Sequence, residues 1–146
     1  RTDAQHPDLE KLIPLLDAEL REEDGPDWVF FANYNKMHDI RHVVIAYLNE
    51  IPAGCGAVKL YEGDTGEIKR MFVHPDLRRR GIAEKILTEL EAWAGELGLI
   101  ELILETGKTK NAAPGLYRKH GYSVIPNYGQ YAGVEQSLCM RKRIAP

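Results

Sequence analysis

The sequence predicts an α+β fold: a mixed, mostly antiparallel sheet with helices on its faces, in one domain spanning residues 1–146. Three observations predict it. Short β-rich apolar runs separated by turns occupy residues 42–73. Apolar residues then recur at helical spacing through Ile82, Ile86, Leu87, Leu90, Trp93, Ala94 and Leu97. A further apolar run, Leu99 to Leu104, follows that helix. Strand, crossover helix and strand in this order imply a parallel pair inside an otherwise antiparallel arrangement.

From the start of the chain, Leu9, Leu12, Ile13, Leu16 and Leu20 predict a helix over Asp8 to Glu23, with Pro14 expected to interrupt it. Asp24-Gly25-Pro26-Asp27 is a break, and Trp28 to Phe31 is an apolar cluster of either type. His42 to Leu48 predicts a buried strand, Asn49 to Pro52 a turn, and Gly54 to Tyr61 the antiparallel partner. After the turn at Glu62 to Asp64, Glu67 to Val73 alternates as a strand, so Glu67, Lys69, Met71 and Val73 share one face. His74-Pro75-Asp76 ends it, and Gly98 stops the helix that begins after Gly81. Asn111 caps another helix, with Pro114 in its first turn and Gly121 at its end. Tyr122 to Ile125 and Glu135 to Arg143 close the sheet, with Tyr128 to Tyr131 in the loop that joins them.

Composition narrows the functional classes. The 146 residues are 44% hydrophobic and 28% charged, ordinary for a globular domain, and the formal net charge is -3. That balance argues against a general nucleic-acid binder, which carries a broad basic surface. Cys55 and Cys139 lie far apart in apolar runs and read as buried free thiols, which suits a reducing cytoplasm. No Cys or His spacing suits a metal, and no apolar run approaches 18 residues, so neither a metal nor a membrane is expected. The chain starts at Arg1 without a Met, which leaves room for residues ahead of it.

The local exception to the charge balance is Arg78-Arg79-Arg80-Gly81-Ile82-Ala83, between a strand and a helix. A helix start leaves backbone N–H groups without intrahelical partners and carries partial positive charge, so it suits an anion. Gly81 lets a phosphate approach the backbone and Ala83 keeps the first turn uncrowded. The segment also fits a solvated charge run. It is neither a Walker loop nor a dinucleotide fingerprint.

Arg78-x-x-Gly81-x-Ala83 resembles the R/Q-x-x-G-x-G/A signature of the GNAT N-acetyltransferase superfamily. Met71-Phe72-Val73-His74-Pro75 resembles that family's central strand and its exit. Asn111 and Leu116-Tyr117-Arg118-Lys119-x-Gly121-Tyr122 resemble its second conserved region. The likeness covers about residues 40 to 143 and is similar in detail to small stand-alone bacterial members.

The resemblance implies an acyl-CoA N-acyltransferase fold whose sheet splays between two parallel strands, with coenzyme A in the V-shaped gap. It implies that the Met71, Phe72 and Val73 backbone pairs with the pantetheine arm. The segment Arg78, Arg79, Arg80, Gly81, Ile82 and Ala83 then holds the pyrophosphate. Asn111 contacts the pantetheine or serves only as a helix cap. Tyr117 is the expected general acid, against a plain core role. Reference pKa values of about 10 for tyrosine and about 8.5 for a thiol make that transfer uphill by roughly 2 kcal/mol. A lysine-like acceptor is protonated at neutral pH, so a base is expected. Glu67 and Glu105 are the candidates, each on a strand flanking the gap, unless they pair with Lys69 or Arg70. The developing oxyanion is expected to take a backbone N–H near Met71 or Phe72. Lys69 or Arg70 could instead meet an acidic group of the acceptor. Trp28 to Phe31, Tyr34, Tyr128 and Tyr131 either line the acceptor pocket or pack the core.

The expected activity is therefore transfer of an acetyl group from acetyl-CoA to a primary amine of a small molecule, without a metal. A protein N-terminus or lysine as acceptor, and a non-catalytic coenzyme A sensor, are the alternatives. Family members are often homodimers.

Overall fold

The computed structural model describes residues 1–110 and 112–145, so the roles expected of Asn111 lie outside the described residues. Helices are α1 (Leu9–Asp24), α2 (Trp28–Ala32), α3 (Ile82–Glu96) and α4 (Ala113–Lys119). Strands are β1 (His42–Leu48), β2 (Ile51–Leu60), β3 (Thr65–Val73), β4 (Glu101–Gly107), β5 (Ser123–Ile125) and β6 (Ser137–Arg143). The six strands follow the hydrogen-bonded order β1-β2-β3-β4-β6-β5. Only β3 and β4 are parallel among the registered pairs, through Thr65↔Glu101, Gly66↔Leu102 and Glu67↔Ile103, as the crossover through α3 requires.

The chain divides into two compact units. The first comprises Arg1–Lys59 and Lys69–Leu90. Its core forms where Leu9, Leu12 and Leu16 of α1 meet Val43, Cys55, Ala57 and Phe72. The apolar spacing read from the sequence is thus the buried face of α1. Pro14 sits inside this helix, which continues unbroken to Asp24. Burial of leucines on both sides of Pro14 outweighs the one backbone bond that proline removes. The hairpin from β1 to β2 is tighter than the sequence suggests. Asn49 and Glu50 both have positive φ, 50° and 67°, and Leu48 pairs directly with Ile51. That is the backbone of a two-residue turn matched to strand twist. The ambiguous apolar cluster at Trp28 becomes the short helix α2.

The second unit comprises Leu60–Ile68 and Glu91–Pro146. Here β4 runs from Glu101 to Gly107, starting later and ending later than the apolar run alone suggests. Its full-length ladder with β6, from Glu101↔Arg143 to Gly107↔Ser137, carries the strand through the polar residues Glu105 and Thr106. Gly98 ends α3 with φ 83°, and the Leu99 N–H returns to the Ala94 carbonyl at 3.0 Å. Among the described residues, no helix is long and apolar enough to cross a membrane.

Candidate active site

The C-terminal end of β3 is irregular. Arg70 has φ 58°, so strict alternation from Glu67 to Val73 is interrupted inside the strand. A non-glycine residue in this region is costly and marks a bulge, where ladder groups are released from regular pairing. The side chain of Arg70 is buried, and its Nη2 donates to Asp17 of α1. Beyond the bulge Met71 is partly buried, while Phe72 and Val73 are buried.

The segment that follows is built from backbone. Pro75–Leu77 forms one 3-10 turn, with the Asp76 N–H donating to His74 Nδ1 at 3.2 Å. Arg78 turns back: its Nε donates to the Val73 carbonyl at 2.9 Å and its Nη2 to Glu19 at 2.6 Å. Its guanidinium also lies 5.6 Å from the centre of the Phe72 ring. Arg78 therefore ties the loop to the end of β3. Arg79 and Arg80 are exposed. Arg79 and Gly81 are left-handed, φ 65° and 77°, and the Lys85 N–H donates to the Gly81 carbonyl at 3.2 Å to begin α3. A left-handed residue beside helical ones turns successive N–H groups toward a common concavity. The first N–H groups of α3 add to it, because they lie outside the intrahelical ladder. A Cβ built on Gly81 would have no protein atom within 4 Å, so the backbone there is open to an approaching group. These residues fit a diphosphate: an anion would meet several N–H groups and two exposed arginines, without steric obstruction at Gly81.

The second unit gathers the acid–base candidates. Glu67 pairs in register with Ile103, and Glu105 lies two residues beyond Ile103 on the same strand. The period-2 alternation of β4 places both carboxylates on one sheet face. Glu67 is 4% exposed and accepts a hydrogen bond from the Tyr128 hydroxyl. Glu105 accepts one from the buried Ser137 hydroxyl at 2.7 Å. The rings of Tyr61, Tyr128 and Tyr131 meet edge to face in a chain, with centroids 5.5 and 5.6 Å apart. Burial raises the pKa of the Tyr128 hydroxyl, and the Glu67 carboxylate raises it further. Burial and then both carboxylates, Glu105 and Glu67, raise that of Tyr131. The two acids therefore act on one hydroxyl.

Tyr117 of α4 is buried, and its ring meets Tyr122 edge-on at 5.6 Å. Tyr122 is braced in turn: its hydroxyl donates to Glu91 at 3.1 Å, and Lys142 donates to the same carboxylate at 2.7 Å. Burial raises the Tyr117 pKa well above the ordinary tyrosine value, and the Glu105 carboxylate adds to the shift. At neutral pH this hydroxyl holds its proton. Both thiols are poor nucleophiles. Burial pushes Cys55 up to about 12 and also raises Cys139. Among the described residues, no group of three His, Cys, Asp or Glu side chains is arranged to hold a metal.

Residues 9–122 match the Acetyltransferase (GNAT) family. The chain belongs to the GNAT acetyltransferase family. It is thus an acetyl-CoA-dependent N-acetyltransferase by class, and the expected fold is borne out. It is 39% identical to "IAA acetyltransferase" of Azospirillum brasilense over 105 residues, 71% of this chain and 68% of that protein. A Klebsiella pneumoniae structure assigned as an acyl-CoA N-acyltransferase superposes with TM-score 0.78 at 28% identity, covering 96% of this chain and 92% of that one. The PaiA N-acetyltransferase of Thermoplasma acidophilum, solved in complex with coenzyme A, shares the fold. Its TM-score is 0.62 at 17% identity, over 89% of this chain and 78% of that one.

Within this GNAT chain the expected site residues fall into two groups, one in each unit. Met71, Phe72, Val73, Arg79, Arg80, Gly81, Ile82 and Ala83 belong to the first unit, with Arg78 engaged by Val73, Glu19 and Phe72. Glu67, Glu105 and Tyr117 belong to the second unit, with Tyr128 and Tyr131. Trp28 to Phe31 and Tyr34 belong to the first, where Phe30 meets Phe31 and Tyr34 edge-on. Sequence reading did not single out Ser137, and it did not connect Tyr128 to Glu67. The available signal for Ser137 was its place at the start of a strand opposite Gly107, two residues past Glu105.

Proposed function

We propose that this GNAT protein acetylates a primary amine of a small molecule, using acetyl-CoA as donor, by direct attack. The observation that carries the donor assignment is the open left-handed turn at Arg79 and Gly81, where α3 begins. Backbone N–H groups from Arg79 to Ala83 hold the pyrophosphate, and the Met71 to Val73 backbone holds the pantetheine arm. The bulge at Arg70 supports a backbone N–H near Met71 or Phe72 as the donor to the carbonyl oxygen of the thioester.

Glu67 or Glu105 removes the proton from the acceptor ammonium, directly or through water. The amine nitrogen then bonds to the carbonyl carbon, the carbon–sulfur bond breaks, and the nitrogen releases its surplus proton to solvent. Tyr117 gives its proton to the departing sulfur and regains one from solvent. The raised pKa of Tyr117 does not forbid this step. Burial disfavours a thiolate for the same reason that it disfavours a tyrosinate, so the difference between the two governs the transfer. The small acceptor is supported by the enclosure of the carboxylate: Glu67 is 4% exposed and Tyr131 2%. A protein segment would need a wider groove. The buried thiols suit a cytoplasmic setting.

Thiol release from acetyl-CoA across a panel of small amines tests the reading. At least one amine is expected to support turnover, and Tyr117→Phe is expected to lower kcat about a hundredfold. Full activity in that variant removes Tyr117 from its role. Turnover only with peptides would move the acceptor class to proteins. Binding of acetyl-CoA without turnover on any amine or peptide would indicate a sensor.

A further inference from the structure

Tyr128 carries features that neither packing nor acceptor lining requires. Its hydroxyl donates to the Glu67 carboxylate. Its ring is wedged between Tyr61 and Tyr131, edge to face on both sides, so the side chain has little freedom to leave that carboxylate. The loop beneath is fixed as well. Asn127, the preceding residue, donates through Nδ2 to the Val134 carbonyl at 2.9 Å and to the Ser137 carbonyl at 3.1 Å. Gly129, the following residue, has φ 51°, and a Cβ built there would lie 3.1 Å from the Tyr61 hydroxyl. The Tyr128 backbone N–H is hydrogen-bonded to the Cys139 thiol. Anchors on three sides thus hold one hydroxyl against one buried carboxylate. Groups facing Glu67 include Tyr128, Tyr61, Tyr131 and Cys139, and Glu105 shares its influence on the last two.

We propose that Tyr128 is a positioning residue for the acetyl transfer, which holds the Glu67 carboxylate in the orientation that receives the acceptor's proton. This rests on the reading of Glu67 as the base. A buried carboxylate on a strand can rotate about its side-chain torsions, and each misplacement of the proton acceptor lowers the fraction of productive encounters. A fixed donor to one oxygen restricts that rotation. Tyr128 touches neither the donor nor the reacting atoms in this scheme; it works only through Glu67.

A double-mutant cycle on the whole chain tests this, using an amine that supports turnover. Tyr128→Phe keeps the ring and its two edge contacts and removes only the hydroxyl. It is expected to lower kcat about tenfold, the effect of losing one hydrogen bond to a charged group. KM for acetyl-CoA should stay within about twofold, because the cradle is untouched. Glu67→Gln should lower kcat further. In the Glu67→Gln background, Tyr128→Phe should then cost less than about twofold, because its target is gone. An unchanged kcat in Tyr128→Phe, or an equal loss in both backgrounds, overturns the proposal while leaving Glu67 as base. Wild-type kcat in Glu67→Gln instead removes the base, and the role of Tyr128 with it. Should Tyr128→Phe fail to fold, NMR of the unaltered protein gives the second reading. A slowly exchanging Tyr128 hydroxyl proton, shifted in Glu67→Gln, is expected. Its absence refutes the contact.

Discussion

Gly81→Ala isolates the phosphate cradle, because the molecule contains a matched control. Gly81 has φ 77° and Gly98 has φ 83°, and a Cβ on either meets nothing within 4 Å. Alanine at either position therefore brings the same backbone penalty, about 1 kcal/mol, without a steric clash inside the protein. For a chain of this size that is a fall in Tm of about 2 to 4 °C in each variant. Only at Gly81 does the added methyl stand where a phosphate would approach. Acetyl-CoA at a hundred times its wild-type Kd stabilises the protein by about 2.7 kcal/mol, an upward shift of roughly 5 to 10 °C. A tenfold weaker Kd in Gly81→Ala leaves about 1.4 kcal/mol at the same concentration, which halves that shift. Thermal unfolding with and without acetyl-CoA, for the wild type, Gly81→Ala and Gly98→Ala, reads all of these quantities. Equal ligand-induced shifts in the two variants would refute the cradle, whatever their absolute stability.

Two further outcomes concern the scaffold. Gly54→Ala is expected to lose about 1 to 3 kcal/mol in urea unfolding, because its Cβ would lie 2.6 Å from the backbone carbonyl of Phe72 and 3.1 Å from Ile86. Gly95→Ala, inside α3 with nothing within 4 Å, should gain up to about 1 kcal/mol in the same assay. Stability should also fall steeply above pH 10, because Tyr117, Tyr122, Tyr128 and Tyr131 all have raised folded-state pKa values. Below pH 10 these hydroxyls are protonated whether folded or unfolded. Above it the unfolded chain releases protons that the folded one retains, so each buried tyrosine costs about 1.4 kcal/mol per pH unit until its folded pKa is passed. Denaturant titrations at pH 8 and pH 11 check the sign, and unchanged stability would mean that these hydroxyls reach solvent.

What could be read from the residues follows the range of the interactions that produce each feature. Periods of 2 and 3.6 are local, so the β1, β2 and β3 runs and the stripe of α3 were legible. So was the parallel pair, because a crossover helix leaves little topological choice. Boundaries were less so. β4 extends to Gly107 because seven register pairs with β6 support it, and those partners lie 30 or more residues away. Pro14 reads as a helix breaker until the leucines around it are known to be buried. The helix-start motif was legible because its chemistry is local backbone and glycine, whereas the direction of Arg78 depended on Glu19 of a distant helix.

The hydrogen bond between Tyr128 and Glu67 shows why the acid–base candidates are the hardest part to read. It joins positions 61 residues apart, and neither has an unusual neighbour in sequence. A tyrosine in a loop flanked by Asn127 and Gly129 has the composition of a turn, and turn chemistry is what those neighbours supply. Only the sheet register brings Glu67 and Glu105 to one face, and only the loop's own anchors bring Tyr128 onto that face. In the proposed scheme motif residues such as Gly81 contribute backbone, which a side chain would screen from the phosphate, so their identity points to their use. In the same scheme residues such as Glu67 and Tyr128 handle a proton and give it a direction, and direction exists only in the folded chain. Acceptor specificity in this protein should therefore be sought among residues with no sequence signature, beginning with Tyr61, Tyr128 and Tyr131.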